Sequence, residues 1–261
     1  MLTGAGCSTE SGIPDYRDAN GGWKRVQPVL FHAFMRDVAV RRRYWARSFI
    51  GWRRFDRARP NAAHRALAHL EREGRIEKLV TQNVDGLHQA AGSREVIDLH
   101  GRLDEVHCMD CDLRLPRTEL QAQLAQRNRS WESLEAAAAP DGDADLEAHD
   151  FTGFDVPTCP ACDGTLKPDV VFFGESVPVE RVRRAMTHLA AADAMLIVGS
   201  SLMVYSGYRF AQSAAAQRKP IAAVNLGRTR ADDLLTLKVV APCAQALGSL
   251  RHARVCSMSA P

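Results

Sequence analysis

No apolar run in this sequence approaches the roughly 18 to 20 residues that a membrane-spanning helix needs. The nearest, residues 189–205, is interrupted by Asp193 and several small residues and reads as a buried strand with its flanks. An excess of one charge is missing too: 34 Lys and Arg stand against 31 Asp and Glu, and a net +3 is too mild by itself for a nucleic-acid binder. No internal repeat is present, and 46% hydrophobic with 25% charged residues excludes wholesale disorder and fibrous classes. Met1-Leu2-Thr3 leads straight into Gly4-Ala5-Gly6, which leaves no room for a signal or transit peptide, so the cytoplasm is the expected compartment. With 261 residues, the chain can bury a core without disulfide staples.

What is present is an alternation. Short apolar runs at residues 79–81, 170–173, 194–198 and 221–224 end in small, polar or Gly-rich turns. Helical periodicity lies between them, over residues 61–73, 179–192 and 207–218. Near-continuous apolar strands suit a parallel sheet covered on both sides. The alternation predicts right-handed crossovers and an α/β fold: a Rossmann-like parallel sheet with helices on both faces. Ligands of such sheets bind beyond the carboxyl ends of the strands. Residues 103–165 break the rhythm, with two Cys-x-x-Cys pairs and an acidic loop at 140–145. They are expected to form an inserted small zinc-ribbon module, flanked by the two parts of the larger domain, 1–102 and 166–250, and followed by a tail at 251–261.

Cys108, Cys111, Cys159 and Cys162 supply four thiolates, the donor set of a closed tetrahedral zinc site. Two redox pairs or four unrelated thiols are the alternative. Cys7, Cys243 and Cys256 are left over and read as small buried hydrophobes. The opening Gly4-Ala5-Gly6-Cys7-Ser8 looks like a strand-to-helix turn that lets backbone N–H groups approach a pyrophosphate, or else a plain structural turn. Asp15, Tyr16 and Arg17 follow in a turn-rich segment. Gln82, Asn83 and Asp85 end another strand with short polar groups able to bind ribose hydroxyls and a carboxamide. His100 precedes Gly101 at an expected strand end, and its ordinary pKa near 6.5 suits proton abstraction at neutral pH. His32, His64, His69, His107, His149, His188 and His252 keep the ordinary reading. Gly199-Ser200-Ser201 and Asn225-Leu226-Gly227 close two further strands.

These motifs, together with Lys167-Pro168-Asp169-Val170-Val171-Phe172-Phe173-Gly174-Glu175, stand in the order found in the sirtuins, and the resemblance covers roughly residues 1–250. The segments Arg43-Tyr44-Trp45-Ala46-Arg47, Gly51-Trp52 and Val204-Tyr205-Ser206-Gly207-Tyr208-Arg209-Phe210 look most like the class II branch, with its bacterial and mitochondrial members. The resemblance implies an NAD-dependent protein-lysine deacylase whose larger domain binds NAD. Gly4, Ala5, Gly6 and Ser8 would cradle the pyrophosphate, and Asp15, Tyr16 and Arg17 would lie in a loop closing over NAD. Gln82, Asn83 and Asp85 would bind nicotinamide and its ribose, with Asn83 counted beside His100 among the catalytic residues. Gly199, Ser200, Ser201, Asn225, Leu226, Gly227 and the backbone near Cys243 would hold the adenosine half. His100 would be the general base that activates a ribose hydroxyl. The acyl oxygen attacks the anomeric carbon and expels nicotinamide, and the ribose then takes up the acyl group, so NAD is consumed. One structural Zn2+ would sit on the four cysteines. Acyl-lysine proteins would be the partners, pairing as an extra strand along residues 171–175 and 201–205. Val171, Phe172 and Phe173 would wall an apolar tunnel, with Gly174 and Glu175 beside it, or lie in ordinary core strand.

Between Arg36 and Arg59, nine arginines interleave with Tyr44, Trp45, Phe49, Trp52 and Phe55. The segment reads as a solvated helical lobe with aromatics turned inward. It reads also as an acyl selector, because Tyr44-x-x-Arg47 resembles a pair that grips acidic acyl groups in another sirtuin branch and Arg47 could pair bidentately with a carboxylate. Nucleic-acid contact is a third reading, which the near-balanced charge opposes. No membrane partner is expected, and a monomer is the default. Two other functions use the same features: mono-ADP-ribosyl transfer to protein, and a zinc-ribbon protein that senses NAD.

Overall fold

The computed structural model describes residues 1–24, 28–134, 142–144, 146 and 149–248. The expected tail at 251–261 lies outside them, as do Pro140, Asp141 and Asp145 of the acidic loop. Strands β1 (Leu2–Thr3), β2 (Leu79–Thr81), β3 (Val96–Asp98), β7 (Met195–Val198), β8 (Ile221–Val224) and β9 (Leu237–Val239) form a parallel sheet in the order β3-β2-β1-β7-β8-β9. Strands β4 (Gly101–Cys108), β5 (Arg114–Pro116) and β6 (Leu166–Val170) form a second, antiparallel sheet in the order β5-β4-β6. The parallel sheet reverses its order of addition at β1, and a cleft opens beyond the strand ends at such a point.

Successive residues of a strand face opposite sides, so each central strand feeds two cores. On one side Leu2, Val80, Ile97 and Ile197 meet Ala185 of α6 (Val179–Ala191) and Phe210, Ala211 and Ala214 of α7 (Tyr205–Ala216). On the other, Leu79, Val198 and Val224 meet Ala63, Ala66 and Leu67 of α3 (Ala62–Arg72) and Leu247 of α8 (Cys243–Gly248). This is the expected doubly covered sheet. Helix α3 begins where its sequence signals, because the Asn61 side chain accepts from the Ala63 N–H at 2.8 Å.

A third core lies under the small sheet. Val106, Leu115 and Leu166 pack with Leu120 and Leu124 of α5 (Arg117–Arg127). They also meet Phe34 of α1 (Phe31–Arg36) and Tyr44, Trp45, Phe49 and Ile50 of α2 (Val38–Phe55). Tyr44, Trp45 and Phe49 of the arginine-rich segment are thus turned inward onto the small sheet. That sheet draws on residues either side of the expected junctions at 102/103 and 165/166, since Gly101 pairs with Val170.

The apolar run at 170–173 differs from its expectation as a strand of the parallel sheet. Strand β6 ends at Val170 and belongs to the antiparallel sheet, and Phe172 leaves it to pack edge-on against Phe34 at 5.2 Å. Its apolarity answers to the third core.

Candidate functional site

The Gly-rich opening is a turn wedged against the end of β7. Gly4 N–H donates to the Val198 carbonyl at 3.0 Å and Gly6 N–H to the Gly199 carbonyl at 2.8 Å. A Cβ on Gly4 would come within 2.7 Å of Ser200 Cβ, and one on Gly199 (φ +61°) within 2.2 Å of the Cys7 nitrogen. These glycines are therefore required by the contact of two loops with each other. Residues 5–7 and 9–11 form two short 3₁₀ turns in place of the expected helix.

A polar network fills the floor beneath this turn. The Ser8 hydroxyl donates to Asp85 Oδ2 at 2.6 Å and accepts from Asn83 Nδ2 at 3.0 Å. Asn83 Nδ2 also reaches the Gly4 carbonyl at 3.1 Å, and Asp85 Oδ1 accepts from the Leu87 N–H at 2.9 Å at the start of α4 (Leu87–Ala90). Burial raises the Asp85 carboxyl above its usual range, against the hydrogen bond from Ser8. His64 stands behind them. Its Nδ1 accepts from the Asn61 N–H at 3.3 Å, so Nε2 carries the proton and faces Ser8 Oγ at 3.4 Å. His88 Nε2 donates to Thr3 Oγ1 at 2.8 Å, because the Thr3 hydroxyl spends its own proton on Thr81. Cys7, His64 and His88 lie close enough to share an ion. Cys7 Sγ stands 4.0 Å from His64 Nε2, burial raises its thiol well above the usual range, and His88 Nδ1 is buried without a hydrogen-bond partner.

His100 lies between β3 and β4, with its ring against the Gln82 main chain at the end of β2. Nδ1 donates to the Gln82 carbonyl at 3.0 Å, which leaves the lone pair on Nε2, 2.8 Å from Ser206 Oγ. Ser200 Oγ donates to Gln82 Oε1 at 2.6 Å and joins the ends of β2 and β7. Burial lowers this imidazole from 6.5 to about 4, the Gln82 contact opposes that, and Arg181 and Arg209 add to it.

Burial lowers His64 to about 4 and His88 to about 3 in the same way. At neutral pH these three rings are uncharged in both the folded and the unfolded chain. Below about 6.5 only the unfolded chain takes up their protons, so stability is expected to fall as the pH drops from about 6.5 toward 4. Melting temperature against pH checks this, and a curve that is flat or rises on acidification contradicts it.

Asp15, Tyr16 and Arg17, expected in a loop over the cofactor, are held by contacts with residues 21–24 and with Phe173. The Arg17 guanidinium lies 3.6 Å from the Trp23 ring centre, and Nη1 donates to the Gly21 carbonyl at 3.0 Å. Tyr16 and Trp23 both meet Phe173 edge-on, at 6.4 and 5.5 Å. Asp15 pairs with Lys24. Gly227 receives the far end of this loop, because a Cβ there would come within 2.7 Å of the Ala19 carbonyl. Asn225 Nδ2 donates to the Gly227 carbonyl at 2.9 Å, Leu226 is exposed, and the Ser201 carbonyl accepts from the Arg230 N–H at 2.8 Å. Cys243 is buried at the start of α8, and burial pushes its thiol up to about 11.

The four cysteines of the small sheet converge. Cys108 and Cys162 Sγ are 3.5 Å apart, Cys111 and Cys159 Sγ 3.7 Å, and all four lie within 4.8 Å of one another. Zinc–sulfur bonds of about 2.3 Å in a tetrahedron put sulfurs about 3.8 Å apart. The donor set and its spacing fit Zn2+ and not two disulfides within the Cys-x-x-Cys pairs.

The model of the Sir2 family matches residues 4–206. The chain belongs to the Sir2 family. It is 67% identical over 252 residues to an NAD-dependent protein deacetylase of Xanthomonas campestris pv. campestris (strain 8004), covering 97% of this chain and 86% of that protein. It is 67% identical over 250 residues to NAD-dependent protein deacetylase 2 of Bradyrhizobium diazoefficiens, covering 96% and 92%. Among solved structures it resembles a Sir2 in complex with an inhibitor, 2′-O-acetyl-ADP-ribose and a deacetylated peptide, with a TM-score of 0.74, 30% identity, and 94% and 89% of the two chains covered. It also resembles a Sir2 bound to acetylated peptide, with a TM-score of 0.72, 32% identity, and 94% and 88% covered.

In this Sir2-family chain the segment expected to meet substrate is a braced turn. Glu175 Oε2 accepts from the Phe172 N–H at 2.8 Å and pairs with Lys167 Nζ at 3.0 Å, Gly174 takes φ +81°, and the Val171 N–H donates to the His100 carbonyl at 2.8 Å. Leu202 is buried with φ +54°, a strained setting for a leucine, beside the second expected edge. Tyr44 packs against Phe34 and Phe172 at 5.4 and 5.1 Å, and Arg47 Nε meets Asp143 Oδ2 and the Ala144 carbonyl, both at 3.0 Å. The acidic loop thus supplies Arg47 with a carboxylate from the chain itself.

Sequence reasoning missed Trp23, His64, Lys167 and Ser206 as site residues. The Asn61-x-x-His64 spacing of a capping box was the legible signal for His64. For Ser206, 106 residues from His100, no local signal exists.

Proposed function

We propose that this chain is an NAD-dependent protein-lysine deacylase that accepts acetyl groups, moves the acyl group to ADP-ribose and releases nicotinamide. The observation that carries the reading is the single unprotonated nitrogen of His100, held at the end of β2 where Gln82 meets Ser200 and where Asn83 and Asp85 join Ser8. NAD supplies the ribose that accepts the acyl group and the nicotinamide that leaves. Asn83 and Asp85, cross-linked through Ser8, orient ribose and carboxamide. Gly4, Ala5 and Gly6 bring the backbone to the pyrophosphate, Asp15, Tyr16 and Arg17 close over it, and Gly199, Ser201, Asn225, Leu226, Gly227 and Cys243 line the adenosine end. His100 Nε2 takes the ribose proton. Residues 171–175 and 201–205 flank the acyl-lysine strand, with Val171, Phe172 and Phe173 on the acyl side. Arg47 already has Asp143, so acidic acyl chains are not expected to outpace acetyl. The four cysteines hold one structural Zn2+. Among the described residues no helix is long and apolar enough to cross a membrane.

A mass-spectrometric assay tests this, with one peptide offered in acetyl, long-chain, lipoyl and glutaryl-type forms. The expected result is nicotinamide release that requires acyl-lysine, with acyl-ADP-ribose as product. Release without acyl-lysine, with ADP-ribose added to protein, would replace the reading with mono-ADP-ribosyl transfer. NAD binding without any turnover would leave an NAD sensor.

A further inference from the structure

We propose that Ser206 is a positioning residue for His100, holding the imidazole by its basic nitrogen during acyl transfer. The inference deepens the deacylase reading and rests on it. His100 is held at both nitrogens: Nδ1–H donates to the Gln82 carbonyl at 3.0 Å, and Nε2 stands 2.8 Å from Ser206 Oγ. A nitrogen without a proton only accepts, so the serine hydroxyl is the donor. Ser206 is 7% exposed, which shields the contact from competing water.

Backbone packing fixes this arrangement. The next residue is Gly207, and a Cβ there would come within 2.5 Å of Gln82 Nε2. Helix α7 therefore starts flush against the Gln82 side chain, while the Gln82 main chain holds the other face of the ring. Both contacts of His100 depend on one junction between the end of β2 and the start of α7. Tyr205, immediately before, is 55% exposed, so a single residue separates the surface from the ring.

A hydroxyl at this place serves both protonation states. While the ring is neutral its hydrogen lies on the Nε2 lone pair. When the ribose hydroxyl reacts, its O–H bond breaks and the proton ends on Nε2, its electron pair forms the new bond to the acyl carbon, and the π pair that joined that carbon to the lysine nitrogen withdraws onto the nitrogen. The serine hydrogen turns away, and its oxygen then accepts from Nε2–H. Burial, with Arg181 of α6 and Arg209 of α7 nearby, disfavours the charged ring and the Gln82 carbonyl opposes this, to which the Ser206 oxygen adds an acceptor only once Nε2 carries a proton. With alanine at 206 the ring keeps one of its two supports.

The test uses the full zinc-loaded chain, with an acetylated peptide and NAD, and compares wild type, Ser206→Ala, Ser206→Thr and His100→Ala. Exchange of labelled nicotinamide into NAD reads the first half of the reaction, before any ribose proton moves. Formation of acetyl-ADP-ribose reads the second. Ser206→Ala is expected to slow the second about 10-fold while exchange and both KM values stay within about two-fold, and Ser206→Thr to stay within about three-fold of wild type. His100→Ala should show the same pattern more deeply. Acyl transfer unchanged in Ser206→Ala, or both rates slowed equally, overturns the proposal and leaves the deacylase reading standing. A threonine variant as slow as the alanine one, at an unchanged melting temperature, overturns it as well. A wild type silent in both rates overturns the reading, and the proposal with it.

Discussion

His100→Ala is expected to cut acyl-ADP-ribose formation by at least about 10²-fold, the scale on which a general base acts. The ring offers one lone pair, at Nε2, and burial keeps it uncharged at neutral pH, with its pKa near 4. A weak base remains useful because at neutral pH it is always in the proton-accepting form. The substitution removes a half-buried ring without touching Ser8, Asn83 or Asp85, whose hydrogen bonds are made with one another. NAD affinity should therefore survive within a few-fold. Calorimetric NAD binding beside the mass-spectrometric assay separates the two effects. Full activity in a folded, NAD-binding variant would remove His100 from the mechanism.

Removing zinc is expected to have the largest effect on stability. Binding by four cysteines contributes on the order of 10 kcal/mol to folding, comparable to the whole stability of a typical domain. Cys108 and Cys159 are buried in the same core as Val106, Leu166 and the aromatics of α1 and α2, so metal loss releases more than a surface knuckle. Phe172 belongs to that core too, and the turn at 171–175 hangs from it. Chelation should lower the melting temperature and abolish acyl-peptide turnover together. An unchanged melting curve after metal loss, verified by elemental analysis, would contradict the structural role.

Much of the site was legible because its residues sit where strands end. Gln82, Asn83 and Asp85 follow β2, Gly199 and Ser200 follow β7, and Asn225 follows β8, each marked by an apolar run that stops at small or polar residues. The central strands were legible for the same reason, being buried on both faces. Strand β9, short and with Leu237 and Val239 exposed, carries no such signature, and β3 is a three-residue edge. The run at 170–173 misled because apolarity reports burial and not which core does the burying.

Motif order and residue chemistry, both local to the chain, determined the family, the parallel α/β sheet, the four zinc thiolates and His100 as the candidate base. Tertiary structure alone decided what surrounds them. It set α1 and α2 over the small sheet, gave Arg47 its carboxylate from Asp143, and pressed Gly4 against Ser200 and Gly199 against Cys7. It also brought Ser206 to His100 across 106 residues. Such contacts join groups far apart in sequence and depend on how helices seat on sheets. Their partners are chosen by packing, which no local pattern of residues encodes.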